Sequence, residues 1–317
     1  MTERERFAKT LRRQPMPGRV PTFELVFFLT MEAFGRLHPS QRSYGQWKQM
    51  SPRERALHLD DQAEVLLMTA RRYGHSAIFL HVSPGGFETT ARVAELIREK
   101  SGDEYFLMLD RDPTFSIPSG AGMMEFTERL YEDGASLHEE MKRRTAGCVE
   151  FAQKLQGKGL IDGFAMCADY CFNVNPFFSR DMFAEFIVPY LKEAIEAYHA
   201  MGFYAIKHTD GNIMPIIDLM VDCGPDAIHS LDPQGGVDLA QVSRDWGDQV
   251  ALCGNVNCAL LQTGTLDQCD ADIRRSLRDG MARGAGYVFC TSNCAYTGLP
   301  LERYERMNRI WREEGIY

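Results

Sequence analysis

No stretch of the chain combines the length and apolarity needed to cross a bilayer, and the charged opening Met1-Thr2-Glu3-Arg4-Glu5-Arg6 leads into none of the apolar runs that a secretory signal requires. A cytoplasmic setting with no membrane partner is therefore expected. Basic residues are in deficit: 35 Lys and Arg against 44 Asp and Glu give a net charge of −9. That balance leaves no broad cationic surface for a polyanion, so nucleic acid is not an expected partner. Cysteine is absent before Cys148, and the nine from Cys148 onward are odd in number, which argues against a disulfide framework. Each thiol is then a small buried hydrophobe or a metal ligand. Also missing are internal repeats, low-complexity tracts, linkers, a Gly-x-Gly-x-x-Gly after an early strand and a phosphate-loop glycine–lysine pattern. These absences argue against solenoids and against an open dinucleotide-binding sheet.

What is present suits one large globular domain over residues 1–317. With 44% hydrophobic and 25% charged residues the chain can bury a sizeable core, and 317 residues is an ordinary length for eight strand–helix units. Thr2 and Glu5 form a capping-box pattern ahead of Phe7 and Leu11, so a short helix opens the chain. Val20 to Phe28 reads as a first strand carrying Glu24, and a helix starts at Ser51-Pro52-Arg53-Glu54 and runs to Tyr73. Ala77 to Val82 is a strand containing His81, and Glu104 to Pro118 reads as a small hairpin excursion. Beyond Glu125 the alternation is cleaner. Strands are expected at Gly159–Cys167, Tyr204–His208, Asp226–Ser230, Val250–Cys253 and Tyr287–Cys290. Helices are expected at 125–157, Ser179–Met201, Ile213–Val221, Leu239–Trp246, Leu266–Ala282 and Leu301–Glu314. Repeated pairs of this length imply parallel strands, because parallel pairing needs a crossover, and a closed (β/α)8 TIM barrel of the α/β class accounts for the count.

In such a barrel the chemistry sits at the carboxyl ends of the strands. Polar residues collect there: His81; Asp169 and Tyr170; His208 with Asp210; His229 with Asp232; Cys253 with Asn255 and Asn257; and Cys290, Asn293 and Cys294. His208 and Asp210 are alternate residues of an extended segment and so face one centre. They suit a metal, and the spacing suits equally a histidine held by Asp210 in a polar mouth. Zinc favours sulfur and imidazole, which makes His208, Asp210, Cys253 and Cys294 a pool of ligands. Cys148, Cys223 and Cys269 lie in or beside helices and fit plain burial.

Several blocks carry a family resemblance. His208-Thr209-Asp210-Gly211-Asn212, Asp226-Ala227-Ile228-His229, and Gly254-Asn255-Val256-Asn257 with Leu260-Leu261-Gln262-Thr263-Gly264-Thr265 resemble successive segments of the uroporphyrinogen decarboxylase superfamily. So do the early Arg19-Val20-Pro21 and the late Asn293-Cys294-Ala295. True decarboxylases of that group carry an Arg-Gln-Ala-Gly-Arg-Tyr segment that binds the substrate's carboxylates. Here Thr22-Phe23-Glu24-Leu25-Val26-Phe27-Phe28 follows instead, with no arginine between Arg19 and Arg36. The chain is more similar to the branch of methylcobalamin:coenzyme M methyltransferases and demethylation enzymes, whose zinc is held by His-x-Cys and a distant cysteine. His208 matches the histidine and Cys294 the last cysteine, whereas Asp210 replaces the middle one, so Asp210 or Cys253 completes the set.

This resemblance implies a zinc-dependent methyltransferase that moves a methyl group between a corrinoid (cobalamin) on a partner protein and a small methyl donor or acceptor, as in O-demethylation. Glu24, His81, Tyr170 and His229 are then expected around the reacting groups, and Asp169, Asn255 and Asn257 on the cofactor side. The rival expectations are a uroporphyrinogen decarboxylase and a non-catalytic corrinoid- or tetrapyrrole-binding protein.

Overall fold

The computed structural model describes residues 1–42, 45–81 and 83–317. Seven parallel strands follow chain order in one curled sheet: β1 (Ala77–Leu80), β2 (Phe106–Asp110), β3 (Gly163–Cys167), β4 (Tyr204–His208), β5 (Ala227–His229), β6 (Ala251–Val256) and β7 (Tyr287–Thr291). The expected first strand is not a regular ladder. Val20 to Phe28 nevertheless lies between β7 and β1: the Phe289 N–H donates to Pro21 O at 2.9 Å, and the Ser76 N–H donates to Thr22 O at 2.6 Å. Pro21 has no N–H to give, which limits this segment to isolated bridges such as Thr22 with Phe289. The result is a TIM-barrel-like fold closed by an irregular eighth segment. Among the described residues no helix is long and apolar enough to cross a membrane.

The hairpin expected at Glu104–Pro118 is corrected by the structure. Phe106–Asp110 is instead β2, paired in parallel with both β1 and β3. A strand buried on both faces reads as a continuous apolar run, and Phe106–Leu109 is such a run, so the alternation that marks hairpins misleads here. The β1 reading keeps Ala77–Leu80, while its predicted last residue, Val82, lies outside the described residues. The helix expected at 125–157 is two helices, Gly122–Glu132 and Gly134–Leu155, the second capped by the Asp133 side chain accepting from the Ser136 N–H at 3.3 Å.

Both capping boxes form, at Thr2 with Glu5 and at Ser51 with Glu54. The first starts the helix Glu3–Leu11, which closes the amino-terminal end of the barrel. Phe7 and Leu11 are fully buried there, with the Phe7 ring 4.8 Å from that of Phe106 and 5.5 Å from that of Phe23. Burying one such phenyl ring contributes about 1.5–3 kcal/mol. Ala77, Phe79, Met108, Ala165, Ile206, Ala227, Ala251, Cys253 and Val288 fill the interior above it. Hydrocarbon thus occupies the floor, and Asp110, His208 and His229 stand at the carboxyl-terminal ends of their strands.

Candidate metal centre at the barrel mouth

Cys167 of β3 pairs with His208 of β4, and His208 pairs with His229 of β5. Asp169 and Asp210 follow two residues beyond Cys167 and His208, so both carboxylates rise together above the same two strands. His208 Nε2 lies 3.8 Å from Asp169 Oδ1 and 3.8 Å from Asp210 Oδ1. One ligand atom from each of the three lies within 4.8 Å of the others. The Asp210 N–H also donates to Asp169 Oδ1 at 3.1 Å. Gly211 has φ +81°, and a Cβ there would come within 2.6 Å of Cys171 O. Only glycine lets the loop after β3 close over the loop after β4, where the Asn212 N–H meets Phe172 O at 2.9 Å.

The electrostatics of this cluster suit a cation. Among the described residues Asp210 Oδ1 is buried with no hydrogen bond of full geometry, although the nearby Ser230 hydroxyl lowers its pKa, while Oδ2 accepts from Asn293 Nδ2. Burial, then the Asp169 charge, push the Asp210 carboxyl up to about 7. Burial, then the Lys207 charge, push His208 down to about 3, so its imidazole is neutral at physiological pH. A neutral ring offers one lone pair and one N–H. His208 Nδ1 faces His229 Nδ1 at 2.7 Å, a contact in which either ring can donate according to its tautomer. With the Nδ1 proton on His208, the Nε2 lone pair points at the two carboxylates. A buried carboxylate oxygen beside a free nitrogen lone pair and a second carboxylate is unfavourable alone and is relieved by a divalent ion.

The family model described as uroporphyrinogen decarboxylase (URO-D) matches residues 116–313, more than half of the chain. The chain belongs to this family. Among solved structures, a methyltransferase from Methanosarcina mazei is 17% identical, with a TM-score of 0.74 over 99% of both chains. A 3-keto-D-glucoside 4-epimerase from E. coli gives 0.52 at 12% identity, over 80% of this chain and 94% of that one. A GH5_18 protein from Bifidobacterium longum subsp. infantis gives 0.54 at 10% identity, over 94% and 78%. These likenesses are likenesses of fold. A search of curated proteins finds no match.

Elsewhere in the URO-D barrel the expected site residues take separate places. Cys253 points into the interior beside Ala251 and Val288, apart from the triad, and burial raises its thiol pKa. Cys294 lies in the loop after β7, next to the Asn293 that holds Asp210; burial first, then Cys258, Glu24 and Asp210, push its thiol up to about 12. His81 stands at the end of β1, its ring 5.4 Å from that of His38, and lines a cavity of about 270 Å³ with Arg42, Gln62 and Ser83. Tyr170 is buried against the outside of the barrel, its hydroxyl 2.5 Å from Thr114 Oγ1 and its ring 5.0 Å from that of Phe183. Asn255 donates to Leu231 O at 2.8 Å and accepts from Arg275 at 3.0 Å. Asn257 caps the helix Cys258–Thr263. Both asparagines thus hold the loops of the rim.

One mouth residue escaped the sequence reading. Asp110 ends β2 on the same face as Phe106 and Met108 and accepts from the Cys167 N–H at 3.3 Å. Burial, then the Asp112 charge, push it up to about 6. The signal was an acid closing an apolar run, hidden by the hairpin reading.

Glu24 faces away from the barrel interior, between Phe23 and Leu25, and accepts from the Thr291 N–H at 3.3 Å and from the Thr291 hydroxyl. Burial outweighs those bonds and lifts its pKa from 4.5 to about 8. A raised acid gives the folded state the extra proton, so its contribution is complete below about pH 4.5 and is lost as pH rises towards 8, at about 1.4 kcal/mol per unit. Urea unfolding across this range is expected to show that decline in the native protein and a flatter profile in Glu24→Gln. Parallel profiles would contradict the assignment.

Proposed function

We propose that this URO-D family member is a zinc-dependent methyltransferase, acting in the cytoplasm, that moves a methyl group between a corrinoid on a partner protein and a small methyl donor or acceptor. The observation that carries the reading is the convergence of His208 Nε2, Asp169 Oδ1 and the buried Asp210 Oδ1 at the barrel mouth. Imidazole nitrogen and carboxylate oxygen are both accepted zinc donors, so the residues fit the ion. The likeness to a methyltransferase over the whole length of both chains makes methyl transfer the chemistry to test first.

In this reading His208, Asp169 and Asp210 hold the ion, and Cys294, which follows the Asn293 that holds Asp210 but is not one of the three clustered residues, would add a thiolate on metal binding. Bound there, zinc supplies Lewis acidity that polarises a methyl ether oxygen or acidifies a thiol. His229 keeps the His208 ring in the tautomer that exposes Nε2, as outer-sphere partners of ligating histidines do. Asn293 orients Asp210, and the Asp210 N–H orients Asp169. The hydrocarbon floor excludes water from below. Carboxylate donors leave an ion a stronger Lewis acid than thiolates do, which favours a methyl ether donor over a thiol acceptor.

The test is an assay of the zinc-loaded protein with cob(I)alamin and a panel of methyl ethers, and with methylcobalamin and small thiols, followed through the corrinoid's visible spectrum. Methyl transfer with ether donors is the expected result. Incubation with uroporphyrinogen is expected to yield no coproporphyrinogen; decarboxylation at enzyme-like rates, with no corrinoid turnover, would overturn the reading.

A further inference from the structure

We propose that a cleft at the carboxyl-terminal end of β2 is an anion site, in which Arg111 and Arg144 take an oxyanion group of a small ligand. The cleft has a volume of about 380 Å³ and opens between Asp110 on the barrel rim and the helix Gly134–Leu155. Arg111 follows Asp110, so alternation turns it outward where Asp110 faces in. Its guanidinium carbon lies 3.6 Å from the centre of the Phe151 ring, and its Nη1 donates to Asp110 O at 3.1 Å. Arg144 is fixed by donating to Thr114 O at 2.8 Å and lies 5.0 Å from the centre of the Phe115 ring. Both guanidinium planes are thus set in place before any ligand arrives.

Neither arginine has a close counter-ion. Among the described residues Arg111 makes no ion pair, and Arg144 has one, at 4.0 Å to Glu140 on its own helix. Arg13, Arg55 and Arg303 are likewise half-buried without an ion pair among the described residues, and what sets Arg111 and Arg144 apart is that they line one cleft together. The cleft's own carboxylates are engaged. Asp112 Oδ2 holds Lys207 Nζ at 2.7 Å, Asp112 Oδ1 accepts from the Thr114 N–H at 2.8 Å, and Asp110 Oδ1 accepts from Cys167. A stacked guanidinium loses little freedom when it binds and presents paired N–H donors matched to carboxylate, sulfonate or phosphate oxygens. This assignment stands independently of the metal and of methyl transfer.

Calorimetric titration of the full chain with phosphate, and separately with acetate, tests it. One saturable site is expected, weakened about tenfold or more in Arg111→Gln and in Arg144→Gln and unchanged in Arg278→Gln, whose side chain is 71% exposed elsewhere. Tighter phosphate binding assigns a tetrahedral oxyanion and tighter acetate binding a carboxylate; both support the site. On the unsubstituted protein, the bound anion is expected to slow phenylglyoxal labelling of Arg111 and Arg144, read by mass spectrometry, and to leave Arg278 unaffected. Absence of saturable binding, affinity unchanged in both variants, or labelling of Arg111 and Arg144 indifferent to either anion would overturn the proposal.

Discussion

Replacing His208 with alanine is expected to strip the metal and to lower methyl-transfer turnover by more than the roughly 10–100-fold that follows loss of an outer-sphere partner. His208 is the nitrogen donor in the triad, and its removal leaves Asp169 and Asp210 facing each other with only solvent between them. Their mutual repulsion then favours protonating Asp210, already lifted to about 7, over binding an ion. His229→Ala is expected to fall inside that 10–100-fold range, since the ligand survives but its Nδ1 contact at 2.7 Å is gone and the ring is free to turn. Elemental analysis of the two variants, together with their rates at rising zinc concentration, measures both effects. Excess zinc should restore His229→Ala and fail with His208→Ala. Full turnover by His208→Ala, or equal losses in the two variants, would contradict the assignment of ligand and orienter.

The second large effect concerns stability. Asp112→Ala is expected to destabilise the fold by about 3–5 kcal/mol, because it leaves the buried Lys207 ammonium without its counter-charge. The Lys207 side chain is 0% exposed and that of Asp112 3%, with Nζ and Oδ2 2.7 Å apart. Three backbone carbonyls, of Met166, Ala168 and His208, complete the ammonium's coordination, so the charge is held where β3 and β4 end. Breaking the pair therefore disturbs the strand ends from which His208 and Asp169 project. Lys207→Met should cost less, as Asp112 keeps its bonds from the Thr114 N–H and hydroxyl. Urea unfolding midpoints with unchanged slopes give the comparison. A loss below about 1 kcal/mol for Asp112→Ala would mean that the pair behaves like a surface contact.

The sequence pattern makes the barrel legible because strand and helix alternate with short connections, and because His208 and Asp210 are spaced by two on an extended segment. The direction of each side chain is harder to read. Strands covered on both faces carry apolar residues at every position, so nothing in Phe106–Leu109 tells inward from outward, and Asp110 was lost with the mistaken hairpin. For the same reason Glu24 and Tyr170, both polar residues in or after apolar runs, read as mouth residues, although they pack on the outer side. Cys253 lies in register with His229, yet it packs among the interior hydrocarbon side chains, and no local pattern in the sequence reveals that. Asn255 and Asn257, which stand in the family-like block, make loop and helix-cap contacts in this chain. Contacts such as Asn293 with Asp210 join residues 83 positions apart, which no local pattern reveals.

Metal analysis of the protein purified without added metal bears most directly on the account. About one zinc per chain is predicted in the native protein, with loss in His208→Ala and reduced retention in Cys294→Ala. Protein freed of all divalent metal by a chelator that still transfers methyl groups at the native rate would contradict it.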